Sequence, residues 1–253
     1  MGILDGRHVL ITGGGTGIGA AIARALAAEG AALSLVGRRR EPLEAMVKEL
    51  PKAVAIVADI TREDNCAAMA KAARTAYGPT DIVIANAGMA SSAPAAKIDL
   101  AHWQQAIGVN LTGAFLTVSA ALADVTRAPG GRIVFIASTA GLKGYPYVAA
   151  YVAAKHGVVG LMRALSVELA AKGVTVNAVC PGFTDTPLLE AAAYTIAGKT
   201  GRSAEAARAE LAKDNAHGRL ITPQEVAQTV LWLCSPGASS INGQAIAVTG
   251  GPV

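Results

Sequence analysis

Tyr151 and Lys155 stand four residues apart, and Ser138 lies thirteen residues upstream of the tyrosine. Residues four apart stack on one face of an α-helix, so a phenol and an ammonium share that face. A phenol titrates near pH 10 and is a poor acid or base at neutral pH. A cation close by favours phenolate and lowers that pKa. Ser138 closes the β-rich run Arg132–Ala137, where its hydroxyl can hydrogen-bond a carbonyl oxygen. A proton donor and a group that polarises C=O are what carbonyl reduction needs. The spacing alone also fits a half-buried tyrosine beside a snorkelling lysine, so the elements around it must decide.

A second constellation precedes it. Thr12-Gly13-Gly14-Gly15-Thr16-Gly17-Ile18-Gly19 follows an apolar run, His8–Ile11, and opens a helical one. Glycines there permit a tight turn and let a pyrophosphate reach the backbone at a helix N-terminus. No Lys-Ser or Lys-Thr follows them, which disfavours an NTPase. Units that bind NAD usually place an acid about 20 residues beyond the glycines. Here the corresponding window reads Val36-Gly37-Arg38-Arg39-Arg40, with no carboxylate before Glu41. Arg38 and Arg39 can hold a 2′-phosphate instead, so NADP is expected in preference to NAD.

The elements that position these residues alternate along the whole chain. Apolar runs at 8–11, 32–36, 54–57, 81–85, 131–138, 174–179 and 244–248 read as seven strands, each but the last followed by a helical stretch. The strands do not alternate polar with apolar, which suits a parallel sheet covered on both faces. The expected fold is α/β, a doubly wound Rossmann sheet of seven parallel strands in a single domain, 1–253. The stretch 100–125 reads as one or two long helices. Residues 184–219, rich in Ala, Glu and Lys, read as helices inserted after the sixth strand, beyond the carboxyl ends of the strands where ligands bind. They are expected to form a mobile lid. Leu188, Leu189, Tyr194 and Ile196 would face a substrate there, with Tyr145 and Tyr147 opposing them.

Composition excludes several classes. With 253 residues, 52% hydrophobic and 16% charged, the chain can bury a large core. The net charge of +4 is spread out apart from Arg38–Arg40, so a nucleic-acid partner is not expected. Cys66, Cys180 and Cys234 are odd in number and far apart, as in a reducing cytoplasm. Met1–Asp5 lacks the pattern of a signal peptide, and no uninterrupted apolar run reaches membrane-spanning length. No metal site is expected.

These motifs together closely resemble the short-chain dehydrogenase/reductase family over essentially the full length. The matching residues are Thr12-Gly13-x-x-x-Gly17-x-Gly19, Asp59-Ile60, Asn86-Ala87-Gly88, Asn110, Ser138, Tyr151-x-x-x-Lys155, Pro181-Gly182 and Gly250-Gly251. The resemblance implies roles. Tyr151 is the general acid in reduction and the base in oxidation. Lys155 lowers its pKa and holds the nicotinamide ribose. Ser138 orients the substrate carbonyl, and Asn110 holds a water that relays protons from Lys155. Asp59 and Ile60 contact the adenine, Asn86, Ala87 and Gly88 line the cleft, and Thr184 and Thr186 meet the nicotinamide amide. For Asn86, bracing of the sheet is the alternative. The segments around Ser138, Lys155 and Cys180-Pro181-Gly182 look like those of ketoreductases acting on 3-oxoacyl thioesters and polyketides. Ser138, Tyr145, Tyr151 and Leu189 are the expected substrate contacts, and a homotetramer is the expected assembly. The alternatives are an alcohol or sugar dehydrogenase working oxidatively with NAD, a cofactor-binding scaffold protein, and an enzyme of the same fold that epimerises or dehydrates, whose known examples tend to be longer chains. The full Asn110, Ser138, Tyr151, Lys155 set weighs against the scaffold.

Overall fold

A computed structural model describes residues 2–253. Its elements run β1 (His8–Thr12), α1 (Gly17–Ala28), β2 (Ala32–Gly37), α2 (Arg40–Glu49), β3 (Ala53–Val57), α3 (Glu63–Tyr77), β4 (Ile82–Ala85), α4 (Leu100–Ile107), α5 (Gly113–Val125), β5 (Arg132–Ile136), α6 (Ala149–Leu169), β6 (Thr175–Pro181), α7 (Pro187–Thr200), α8 (Ala204–Lys213), α9 (Pro223–Cys234) and β7 (Ala245–Val248). The strands form one sheet in the order β3-β2-β1-β4-β5-β6-β7, and every neighbouring pair is parallel. Strand order reverses between β1 and β4. Loops leaving the carboxyl ends of those strands diverge there and open a crevice.

The apolar runs are unbroken because both faces of the sheet are covered. Val9, Ile11, Val134 and Ile136 pack with α1, α2 and α9 on one side. Leu10, Val83, Ile133 and Phe135 pack with α3, α5 and α6 on the other. Local signals set the helix starts near the cleft. Thr222 and Glu225 form a capping box on α9 with Pro223 in its first turn, and Thr186 caps α7 ahead of Pro187.

The stretch 100–125 differs from a continuous helix. A π-turn, Gly108–Thr112, separates α4 from α5. Gly113 N–H reaches back to Gly108 O, one residue further than α-helical pairing. At Gly113 a Cβ would lie 2.6 Å from Ile60, so the helix is drawn tight against the chain leaving β3. By length and composition alone Leu100–Val125 could cross a bilayer, yet His102, Gln104, Gln105, Asn110 and Asp124 interrupt its apolar residues, as the sequence reading has it. α5 packs on the core, burying Ala114, Val118, Ala121 and Val125, and also Thr117 and Asp124, whereas α4 buries Ala106 alone.

Candidate active site

β5 stops at Ile136, and Ser138 caps a short 3₁₀ turn, Thr139–Gly141, accepting the Ala140 N–H at 3.1 Å. That turn lies directly on α6. A Cβ at Gly141 would sit 2.7 Å from Lys155 O, so only glycine fits the approach. On α6, Lys155 is one turn beyond Tyr151. Its side chain is 4% exposed, and Nζ donates to Ile136 O at 2.8 Å while lying 5.7 Å from the centre of the Tyr151 ring. Asn110 is buried in the π-turn. Its Nδ2 donates to Ala106 O at 3.0 Å, and its Oδ1 accepts Met89 N–H at 3.1 Å. Gly88 joins these parts, because a Cβ there would meet Asn110 Oδ1 at 2.9 Å and Lys155 Nζ at 3.7 Å. The Asn110 carboxamide is thus engaged by main-chain groups on both its oxygen and its nitrogen.

Burial dominates the electrostatics. It lowers the Lys155 ammonium to about 8, because a desolvated charge loses its hydration. The same cause raises the Tyr151 phenol, and the Ser138 hydroxyl beside it works in the opposite direction. This corrects the expectation that the lysine leaves the phenol lowered. The ammonium is aimed at Ile136 O and not at the phenolic oxygen, so desolvation outweighs it. Cys180, on the neighbouring strand, is buried and its thiol is pushed up to about 11, which fits a core thiol and not a nucleophile.

The cleft over the β1–β4 reversal encloses about 460 Å³. Gly13, Gly15, Thr16, Arg38, Arg39, Asp59, Ile60, Ala87 and Gly88 line it. Gly13 and Gly17 adopt positive φ, 68° and 54°. At Gly19 a Cβ would collide with the Gly13 carbonyl oxygen, so α1 starts flush against the loop. Ile18 packs with the core instead of facing the cleft. Asn86 also turns away: its Nδ2 donates to Thr12 O at 2.8 Å and its N–H to Thr12 Oγ1 at 3.1 Å, so it braces the glycine loop. The Asp59 carboxylate accepts from Thr61 N–H and Oγ1, the main reason its pKa is lowered, with Arg38 adding to the effect. Sequence reading missed Val36, Gly37, Pro42, Leu43, Ala58, Thr61 and Val109, which also line the cleft. Most sit at or just beyond strand ends in the switch region, and that position was the available signal.

The floor gives way to a wall at β6. Pro181 ends the strand, Thr184 Oγ1 donates to Gly182 O at 3.0 Å, and Thr186 Oγ1 accepts the Leu189 N–H. Tyr145 OH pairs with Thr139 Oγ1 at 2.8 Å, beside Ser138. Leu189 is buried within α7, whereas Leu188 and Tyr194 are exposed and Ile196 is partly buried. Tyr147 is 65% exposed at φ 65°, the single non-glycine positive φ among the described residues. Its carbonyl accepts Ala93 N–H, which tethers the loop before α6 to the loop after β4. Among the described residues no three His, Cys, Asp or Glu side chains are grouped as metal ligands.

This arrangement is a glycine-loop cradle at a sheet reversal, with a serine, tyrosine and lysine beside it, and it defines a nicotinamide-dependent oxidoreductase. The short chain dehydrogenase family model matches residues 7–196. A Streptomyces coelicolor protein provisionally named a ketoacyl reductase is 37% identical, over 99% of this chain and 98% of the relative. The cis-4-hydroxycyclohexanecarboxylate dehydrogenase of Sinomonas cyclohexanicum is 38% identical, over 97% of this chain and 96% of the relative. A crystal structure of an actinorhodin polyketide ketoreductase variant with NADPH superposes with TM-score 0.94 at 36% identity, covering 99% of this chain and 98% of that one. The chain belongs to the short-chain dehydrogenases/reductases, oxidoreductases that pass hydride between a nicotinamide dinucleotide and a carbonyl or alcohol.

Proposed function

We propose that the protein is an NADPH-dependent ketoreductase acting on a 3-oxoacyl thioester or a ketone of similar shape. The observation that carries this is the packing of the Ser138 turn onto Lys155 and Tyr151 at the end of the dinucleotide cleft. When bound, the cofactor supplies hydride. Ser138 Oγ hydrogen-bonds the substrate carbonyl, and Tyr151 gives its oxygen a proton. Lys155 holds the nicotinamide ribose and keeps the phenol in reach, and Asn110 fixes the π-turn that lines the proton path from Lys155. The cradle suits the dinucleotide because Gly13, Gly15 and Gly88 line it, and an added Cβ would press on Pro42 at Gly15 and on Asn110 at Gly88. Gly13, Gly15, Thr16, Gly17 and Gly19 shape the pyrophosphate site, with Ile18 anchoring α1. Asp59, Ile60 and Ala87 take the adenosine side, and Pro181, Gly182, Thr184 and Thr186 the nicotinamide side.

Arg38 and Arg39 favour NADP. Both line the cleft just past β2, where the chain offers no carboxylate before the N-terminus of α2, itself favourable to a phosphate. Tyr145 and Leu189 flank the substrate, and residues 184–219 form a lid on the one domain. A dehydrogenase working oxidatively with NAD is the second reading, favoured by the cyclohexanecarboxylate relative. We further propose a cytoplasmic homotetramer. Phe115 on α5 and Val167 on α6 are large exposed apolar residues suited to a symmetric contact. A monomer mass by light scattering at micromolar concentration would refute that assembly. The activity is tested by following NADPH and NADH absorbance with acetoacetyl and longer 3-oxoacyl thioesters, simple ketones and sugars. Turnover of thioester ketones with NADPH supports the reading. Oxidation of alcohols with NAD and no ketone reduction replaces it.

A further inference from the structure

Asn215 lies in the turn that returns from α8 to the sheet, and it is 2% exposed. Its Oδ1 accepts the Phe183 N–H at 3.0 Å, while its Nδ2 donates to Phe183 O at 2.9 Å and to Arg219 O at 2.7 Å. At Gly182 a Cβ would collide with Asn215 Oδ1, so the approach is tight. One carboxamide therefore satisfies both main-chain groups of a residue 32 positions away, as a neighbouring strand would. It does so where pairing with β7 runs out and only a one-residue bridge, Thr184 to Ile221, takes over, with Ile221 N–H also reaching Phe183 O. Pairing of β6 with β7 ends at Pro181 and Val248, and Gly182 N–H makes the last bond to β7.

Phe183 leads two ways from this clamp. Along the chain it continues into Thr184 and Thr186, the latter capping α7. Across the cleft its ring meets Tyr145 edge-on, with centroids 5.9 Å apart and planes at 89°. Tyr145 OH is bonded to Thr139 Oγ1 in the turn that Ser138 caps. Asn215, outside the motif, thus joins the main-chain bonds of Ile221 to Phe183 O and Asp185 N–H in setting the position of the β6 exit relative to Ser138, and it alone holds the Phe183 N–H. Hydride transfer requires the ring and the carbonyl at near-attack distance, and small misplacements there cost large factors in rate.

We propose that Asn215 is a positioning residue for hydride transfer, clamping Phe183 so that the nicotinamide-side rim is held against the Ser138 turn. This rests on the ketoreductase reading above. The test compares wild type, Asn215→Ala and Asn215→Asp; the aspartate keeps an acceptor for Phe183 N–H and loses both donations. Three quantities are measured: affinity for 2′,5′-ADP (ADP if wild type takes NADH), which fills only the adenosine half; affinity for the whole reduced cofactor by fluorescence; and the primary deuterium isotope effect on kcat with cofactor deuterated at the transferred position. Expected for Asn215→Ala are adenosine-half affinity within twofold of wild type, weakened binding of the whole cofactor, kcat down at least tenfold and a larger isotope effect. Asn215→Asp should show the same pattern more weakly. A folded Asn215→Ala with unchanged cofactor affinity and isotope effect overturns the proposal, as does equal weakening of 2′,5′-ADP and of the whole cofactor. If the alanine variant does not fold, the aspartate variant decides by the same criteria. Failure of both to bind 2′,5′-ADP makes Asn215 a stability residue and also overturns it. Tyr151→Phe run alongside separates the two ideas: its retention of wild-type turnover removes the catalytic reading while leaving the binding results on Asn215 intact.

Discussion

Lys155→Met should remove a gain in stability that wild type makes as pH rises above 8, while removing turnover. Burial lowers the Lys155 ammonium from 10.5 to about 8. The unfolded chain therefore holds that proton up to roughly pH 10.5, while the folded chain releases it near pH 8. The folded state carries the penalty in full below about pH 8, sheds it between 8 and 10.5, and is free of it above. About 1.36 kcal/mol per pH unit makes this roughly 3 kcal/mol at pH 7, an upper bound. Methionine keeps most of the apolar stem and removes the charge. It also loses the bond to Ile136 O, whose pH-independent part is that of the neutral amine, a cost of about 0.5–1.5 kcal/mol. The net change at pH 7 is thus stabilising, about 2 kcal/mol or a shift of about 4–8 °C in Tm. The stability difference between variant and wild type should then swing by roughly 3 kcal/mol in favour of wild type as pH rises from 7 to 10.5. Urea unfolding of both proteins at matched concentration across that range measures the swing. Parallel stability curves would refute the claim that the buried ammonium is a cost the fold carries for its chemistry.

Tyr151→Phe removes only the phenolic oxygen. It should cut kcat about 10²–10⁴-fold with an unchanged circular dichroism spectrum, and retention of a tenth of the wild-type rate would end its assignment as the proton donor. Because burial raises the Tyr151 pKa, the phenol keeps its proton at neutral pH; reduction should hold up there and oxidation should accelerate as pH rises, which pH–rate profiles in both directions will show. Arg38→Asp should weaken NADPH relative to NADH by roughly 10- to 100-fold, since a bond to a charged group contributes about 1.5–3 kcal/mol and the new carboxylate repels phosphate. An unaltered cofactor preference, read from Kd values, would free Arg38 of that role. Residues 187–213 bury few side chains, with only Leu189 and Ala193 in α7 and Ala207 and Ala212 in α8. Hydrogen exchange there should slow when NADPH and a slow substrate are added, and equal protection in both states would mean a rigid wall.

The sheet was legible because its signals are local and redundant. Seven apolar runs without alternation imply two covered faces, and Gly-rich or Pro-containing punctuation marks their ends. Boundaries moved by a residue or two, as at β5, which stops at Ile136 and leaves Ser138 in the turn. The π-turn was not legible. It is driven by Asn110 reaching Met89 N–H across the cleft and by the tight seat of Gly113 on Ile60, both long-range contacts that a periodicity reading cannot register. Strand order is not legible either: alternation implies the doubly wound class, while the pairing of β4 beside β1 depends on tertiary packing.

At the site, residue types were legible and their electrostatics were not. A lysine four residues from a tyrosine implies proximity, and proximity alone predicts a lowered phenol. Which way the phenol moves depends on how much water each group keeps and on where the ammonium points. Here Nζ is spent on Ile136 O, and both side chains sit where charge is disfavoured. The two shifts have one cause and opposite signs, the neutral form of each group being favoured. In the proposed reduction a phenol that holds its proton can donate it to a carbonyl oxygen, while Lys155, which gives its own up near pH 8, is bonded to Ile136 O. Asn86 makes the same point for binding. Its place in the motif announces importance, but only the bonds to Thr12 show what its side chain does, which is to brace the glycine loop against β4.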